Sequence, residues 1–304
     1  MKIYDLIILG AGQAGLEAAL QAKQKGIDAL LIEREEAGAL IWNTMHSKKF
    51  LHAYGRNTEK PQGLLNFPDR LTGGELVNLW RKQAKELNYL PNTNFLGMET
   101  GETFNLKTTG GEYRAKNIIL TTGTMDNPNK LGVPGEEKYP VRYELDYNQI
   151  PFEEKIIVVG GGNSAVETAL ECGLDNPVKM IVRKNHLRES VTDRNKDELK
   201  KAIEAGEVEM LYETEITEIK DREVALNNGQ TEPYDQLYVH IGYKTPSEWL
   251  TSLSLTLNEQ GLPKIDRNFE SSLPHLFVAG ALTGADSVVE SANQSIKIIS
   301  HLLK

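Results

Sequence analysis

The apolar positions of this chain fall into short runs, each followed by a stretch with helical spacing. Leu6-Ile7-Ile8-Leu9 is a continuous apolar run, as a parallel strand buried on both faces requires. Leu16–Ala22 then reads as a helix with small residues on one side, and Ala29-Leu30-Leu31-Ile32 as a second strand. The same order returns about 150 residues later, with Lys155–Val159 as strand, Ala165–Leu170 as helix and Val178–Val182 as strand. This alternation predicts an α/β fold with parallel sheets. Residues 105–120 and 206–240, with turns at Gly110-Gly111 and Asn227-Asn228-Gly229, read instead as antiparallel hairpin sections. Near the end, Val288, Val289, Ala292, Ile296 and Ile299 recur at helical spacing, with Asp286 or Ser287 as the N-cap.

A glycine-rich loop joins strand to helix in both repeats. The first is Gly10-Ala11-Gly12-Gln13-Ala14-Gly15 and the second Gly160-Gly161-Gly162-Asn163-Ser164-Ala165. In such a loop the first glycine permits the tight turn, the second lets the backbone approach a pyrophosphate, and the third permits close helix–strand packing. The helix N-terminus offers unpaired N–H groups and the positive end of its dipole to the phosphates. Glu33 lies at the end of the second strand, about 20 residues past the first loop, where its carboxylate can accept ribose hydroxyls. The strand after the second loop ends differently, in Arg183 and Lys184, with Arg188 four residues on. Cations there suit a 2′-phosphate that an acid would repel, which predicts NADPH over NADH. Two such loops in one polypeptide imply two dinucleotides and hydride transfer between them.

Composition narrows the setting. The 304 residues suffice for two domains of ordinary size. No apolar run approaches membrane-spanning length, and the chain opens on a strand with no signal-peptide pattern. One cysteine and two soluble cofactors point to the cytoplasm. A net charge of −9 argues against nucleic acid as a partner. Lys48, Lys49, Arg56 and Lys60 read as scattered surface cations rather than a binding patch. No metal-ligand spacing, paired carboxylate site or Ser-His-Asp set stands out, so no catalytic side chain is assigned; His46 and His52 share no helix face.

The ordered motifs resemble the thioredoxin-reductase-like flavoproteins along nearly the whole chain. Besides the loops, they are Leu65-Asn66-Phe67-Pro68 with Leu71-Thr72-Gly73, Thr121-Thr122-Gly123, Val133-Pro134-Gly135-Glu136, Ile241-Gly242-Tyr243 and Phe277-Val278-Ala279-Gly280. The resemblance implies two Rossmann-type three-layer domains, with an NADPH-binding domain at 125–245 inserted into a split FAD-binding domain at 1–124 and 246–304. It places FAD on Gly10, Gly12, Gln13, Ala14, Gly15, Glu33, Arg34, Leu40, Asn66, Thr122, Gly123, Gly280 and Ala281. It places NADPH on Gly160, Gly162, Asn163, Ser164, Ala165, Arg183, Lys184, Arg188, Ile241 and Gly242. Glu167 is open to two readings, orienting the nicotinamide side or serving as a first-turn acid. A homodimer is implied as well. FAD carries the chemistry, passing electrons from NADPH to an acceptor outside the chain.

The departures from that pattern shape the functional expectation. Thioredoxin reductases carry a Cys-x-x-Cys pair before the second loop, where this chain has Tyr143-Glu144-Leu145-Asp146-Tyr147-Asn148. The lone Cys172, in a helical run, reads as a small packed residue and forms no intramolecular disulfide. Ala281 stands where the family has Asp after Gly280. The segment from Gly38 to Asn66 is longer and holds Trp42, His46, His52 and Tyr54, which read as a surface loop with a few packed rings. The bacillithiol-disulfide reductases are a nearer likeness: they also lack the pair and share an Asp126-Asn127-Pro128-Asn129…Pro134-Gly135-Glu136 stretch, but place a cysteine where Ala14 stands. The expectation is an FAD-dependent NADPH oxidoreductase without an internal dithiol. The alternatives are electron transfer like that of a ferredoxin or flavodoxin–NADP reductase, or a redox-slow sensor holding both nucleotides.

Overall fold

The computed structural model describes residues 2–50, 60–124, 128–285 and 287–303. Two compact units emerge: Met1–Asn127 with Thr245–Lys304, and Pro128–Lys244.

The first unit starts with β1 (Ile3–Leu9), α1 (Gln13–Gln24) and β2 (Ala29–Ile32), followed by α2 (Ala39–Thr44). Two short strands, β3 (Lys49–Phe50) and β4 (Leu71–Thr72), pair antiparallel ahead of α3 (Gly73–Ala84). Then come β5 (Tyr89–Leu90), β6 (Phe95–Glu99), β7 (Phe104–Thr108) and β8 (Gly111–Leu120). The second unit supplies β9 (Ile156–Val159), α4 (Asn163–Gly173), β10 (Val178–Val182), α5 (Asp193–Glu204) and β11 (Val208–Tyr212). It continues through β12 (Ile216–Lys220), β13 (Glu223–Leu226), β14 (Thr231–Pro233) and β15 (Gln236–Val239). The chain then returns to the first unit with α6 (Ser247–Ser252), β16 (Leu276–Val278) and α7 (Val288–Leu302).

In the first unit β1 lies between β2 and β8, all parallel. β8 serves two purposes along its length. Its first half pairs antiparallel with β7, and its second half runs parallel to β1 and β16. The apolar runs at Leu6–Leu9 and Ile118–Leu120 are fully buried because both faces of the sheet are covered. One face packs against α1, α3 and α7 through Leu16, Leu76, Trp80 and Ile298. The other packs against Phe104, Leu106 and the Leu250–Leu255 stretch.

The second unit repeats the design with β11-β10-β9-β15 as a parallel sheet. Val166, Ala169 and Cys172 of α4 and Leu199 of α5 cover one face, and the antiparallel sheet β12-β13-β14 covers the other through Ile219 and Val224. Reading 206–240 as antiparallel throughout is therefore corrected: β11 and β15 are parallel strands, and only residues 216–233 form the meander. Short strands with hairpin-like turns carry no local mark of the direction of their partner.

The closing helix also departs from its apolar reading. Ser287 is its N-cap, accepting the Glu290 N–H, while Asp286 lies outside the described residues. Ile296 is only partly buried, and the buried face includes Ser291, Asn293, Gln294 and Ser295. These buried polar groups are hydrogen-bonded: Asn293 holds a loop, accepting Gln62 N–H and donating to the Lys60 carbonyl, the Ser295 hydroxyl donates to the Ala14 carbonyl in α1, and the Ser291 hydroxyl donates to the Ser287 carbonyl.

Cys172 is fully buried in the last turn of α4, and burial pushes its thiol up to about 12. In native protein at pH 8 it should resist a thiol-reactive dye for hours and react within minutes in guanidinium, because only the thiolate is nucleophilic. Rapid native labelling would contradict this placement.

Candidate functional site

Each unit has a cleft at the C-terminal ends of its parallel strands, where open α/β sheets place their ligands. In the first unit the β1–α1 loop is shaped by two close approaches. Gly10 has φ +106°, and a Cβ there would sit 2.6 Å from the Thr121 carbonyl oxygen. A Cβ on Gly15 would sit 1.8 Å from the Gly10 carbonyl oxygen. Gly12 differs, since its missing side chain would meet no protein atom within 4 Å and would project only into open space. The Thr121 hydroxyl lies 2.8 Å from both the Leu9 and Gly10 carbonyl oxygens and shares its one proton between them, fixing the turn. Its strand-end position marks it only as part of a motif, and the structure gives it this bracing role.

The helix ends complete the argument. α3, α5 and α7 are each capped by a hydroxyl, from Thr72, Thr192 and Ser287; α1 and α4 begin at Gly12 and Gly162 with no capping side chain, as do the short α2 and α6, but α1 and α4 alone follow the glycine loops. The first N–H groups of α1 and α4 thus lack side-chain acceptors, which is the condition under which a helix end receives phosphate.

Around this loop the first cleft, about 230 Å³, brings together Gly10, Gly12, Gln13, Ala14, Glu33 and Arg34 with Leu40, Thr122, Gly123, Gly280 and Ala281. Gly15 is packed behind it, and Asn66 stands outside it: its N–H donates to Gln83 Oε1 and its carbonyl accepts the Trp80 indole. Glu33 accepts the Ala11 N–H at 2.6 Å and the Glu35 N–H at 2.9 Å. A carboxylate has about four acceptor positions, so capacity for ribose hydroxyls remains. Gly280 has φ +79° and donates its N–H to Gln294 Oε1, which also accepts the Thr283 hydroxyl. That clamp holds the turn containing Ala281. Asn43 and Thr44 of α2 also line this cleft, and no motif in the sequence marks them. Trp42 and His46 pack edge to face, Arg81 lies over the Trp42 ring, and His52, Tyr54 and Arg56 fall outside the described residues.

The second cleft is larger, about 540 Å³, and its charge is of the other sign. Gly160, at φ +141°, would place a Cβ 2.3 Å from the His240 carbonyl oxygen, so only glycine fits. Thr168 Oγ1 and His240 Nε2 lie 2.9 Å apart, tying α4 to the end of β15. Gly160, Arg183, Lys184, Arg188 and Ile241 line the cleft. Gly162, Asn163, Ser164 and Ala165 form the N-cap and first turn of α4, and Gly242 packs near the Asn129 amide; none of these five is on the wall. Lys130, His186, Thr214 and Glu215 complete it, from positions no motif marks. The Pro134-Gly135-Glu136 stretch proves to be a brace for that wall: the Glu136 carboxylate is buried and accepts Leu131 N–H, Gly132 N–H and the Tyr143 hydroxyl. Glu167 is five residues into α4, past its first turn, so the reading as a first-turn acid is corrected; it accepts from Asn195 Nδ2.

A family model described as pyridine nucleotide-disulphide oxidoreductase matches residues 7–280, and the chain belongs to that family of oxidoreductases. The bacilliredoxin reductase Bdr of Bacillus subtilis is 25% identical over 295 residues, covering 93% of this chain and 91% of the relative. A thioredoxin reductase of Listeria innocua is 30% identical over 294 residues, covering 92% and 86%. The solved structure of bacillithiol disulfide reductase Bdr (YpdA) from Bacillus cereus superposes with a TM-score of 0.86 at 23% identity over 99% of both chains, which shows a shared fold of two Rossmann-like nucleotide-binding domains.

The glycines separate packing from ligand contact. Gly12→Ala should leave the melting temperature of the nucleotide-free protein within about 2 °C of wild type while weakening FAD binding at least about tenfold. Gly15→Ala should destabilise the nucleotide-free protein by about 2 kcal/mol or more, as overpacking does. Thermal melts with and without added FAD check both.

Proposed function

We propose that the first unit binds FAD, the second binds NADPH, and the protein is an NADPH-dependent flavin oxidoreductase that delivers electrons to an acceptor outside the chain. The observation that carries this reading is the pair of glycine-loop clefts with uncapped helix ends and opposite charge at the next strand end, Glu33 in one and Arg183 with Lys184 in the other. When bound, FAD supplies the redox chemistry, taking a hydride from the nicotinamide and passing the electrons on. The chain's own residues bind and orient. The α1 N–H groups would hold the FAD pyrophosphate and Glu33 the ribose hydroxyls, while Thr121 and Gln294 hold the turns at Gly10 and Gly280. In the second unit Arg183, Lys184 and Arg188 neutralise the 2′-phosphate.

The absence of a second cysteine and the sealed position of Cys172 support an acceptor that is reduced without a protein dithiol. Ala14, 4% exposed where the bacillithiol-disulfide reductases carry cysteine, supports the same conclusion. We further propose a cytoplasmic homodimer, with the domain limits 1–124 plus 246–304 and 125–245.

Anaerobic stopped-flow mixing of the yellow protein with NADPH should bleach the flavin rapidly, and NADH should do so far more slowly. Arg183→Ala should raise the NADPH concentration giving half-maximal bleaching about tenfold or more and leave that for NADH unchanged, as loss of a charge-assisted hydrogen bond predicts. Flavin that neither nucleotide bleaches would overturn the hydride-transfer reading.

A further inference from the structure

Three of the cations that line the second cleft, Arg183, Lys184 and Arg188, lie within six residues on an irregular segment between β10 and α5, and Lys130 lines it from elsewhere. Like charges this close repel, so a segment without fixed contacts would spread them until a ligand gathered them. In this structure the segment is fastened at several points. The Arg188 N–H donates to the Gly161 carbonyl at 2.8 Å, and the Val191 side chain, 2% exposed, is buried in the core. The Lys184 carbonyl accepts the Glu213 N–H at 3.3 Å, and the Arg188 carbonyl accepts the Val191 N–H at 3.1 Å. The fastenings at the far end of the segment run through one amide. Asn163 Nδ2 donates to the Ser190 carbonyl at 2.9 Å, while its Oδ1 accepts the Thr192 N–H at 3.0 Å and Asn195 Nδ2 at 2.9 Å. Asn195, 7% exposed on α5, fixes that arrangement by also donating to Glu167 Oε1 at 3.2 Å.

This changes the meaning of the second glycine loop. Asn163 occupies the position that Gln13 holds in the first loop; Gln13 lines its cleft, whereas Asn163 does not line the other. The Asn163 oxygen is filled by two donors from the protein, so the side chain is used to hold the cationic segment rather than to meet a pyrophosphate. Asn195 is further removed still, touching only Asn163, Thr192 and Glu167 among its described hydrogen-bond partners.

We propose that Asn163 and Asn195 are positioning residues that set the preference for a 2′-phosphorylated dinucleotide, by holding Arg183, Lys184 and Arg188 gathered before the ligand arrives. This rests on the NADPH assignment above. The gain is preorganisation: the ordering of the segment is met in folding and not at binding. The effect is selective, because the 2′-phosphate would meet these cations whereas the pyrophosphate would meet the loop backbone at Gly160 and Gly161, which lines the same cleft.

Isothermal titration of FAD-loaded protein with NADP⁺ and with NAD⁺ tests this by binding alone. Wild type should bind NADP⁺ more tightly. Asn195→Ala should weaken NADP⁺ about tenfold, the scale of two lost buried hydrogen bonds, and change NAD⁺ less than about twofold. Thr192→Ala is the control: it removes the α5 cap yet keeps the backbone N–H bonded to Asn163, and should leave the NADP⁺ to NAD⁺ ratio at the wild-type value. If Asn195→Ala fails to fold, Asn163→Ala carries the same expectation. An unchanged ratio in the asparagine variants, equal weakening of both nucleotides, or the same selective loss in Thr192→Ala would overturn the proposal. A wild type with no preference for NADP⁺ would instead overturn the NADPH assignment beneath it.

Discussion

The close approach between a strand end and the helix after it governs this molecule. A Cβ on Gly15 would lie 1.8 Å from the Gly10 carbonyl oxygen; one on Gly160 would lie 3.1 Å from Ala165 Cβ of the following helix and 2.3 Å from the His240 carbonyl oxygen at the end of the neighbouring strand. Neither position tolerates a side chain, so the glycines are required before any ligand is considered. That closeness carries the helix N-terminus to the end of the sheet and leaves its first N–H groups without capping side chains, the condition under which main chain alone can receive an anion. The surrounding structure stabilises the turns: Thr121 bonds two carbonyls at the first, α7 clamps Gly280 through Gln294, and Thr168 ties α4 to His240 at the second.

From this shared frame the two units diverge just beyond the second strand of each, at β2 in the first and β10 in the second. Glu33 is bonded to Ala11 and Glu35, a rigid acceptor at the edge of its cleft. Arg183 and Lys184 begin a longer segment that the Asn163 amide holds in place. One fold thus makes two glycine-loop clefts of opposite charge with few changed positions. The lone cysteine takes no part, being sealed among the apolar side chains of α4, β9 and β10.

Most of this frame was legible in the sequence because it rests on local rules. Continuous apolar runs, glycine spacing and the charge after the second strand each report a nearby constraint, and the strands and helices around both loops lie where those signals put them. What escaped depends on contacts distant in sequence. The direction of β11 and β15 is set by their partners β10 and β9. The burial of Asn293 and Ser295 reflects partners far away along the chain, a loop residue 231 positions off and Ala14 of α1 281 positions off. Asn163 was legible as part of a loop, but its bond to Asn195 crosses 32 residues and has no local signature. Asn66 was assigned from a motif whose backbone instead anchors Trp80 and Gln83.

The central claim is that one chain carries two separate dinucleotide sites. Calorimetric titration of nucleotide-free protein with FAD, and then of the FAD-loaded protein with NADP⁺, tests it directly. The account predicts one equivalent of each per chain, with NADP⁺ displacing no FAD. Competition between the two for a single site, or saturation by FAD alone with no NADP⁺ binding, would contradict it.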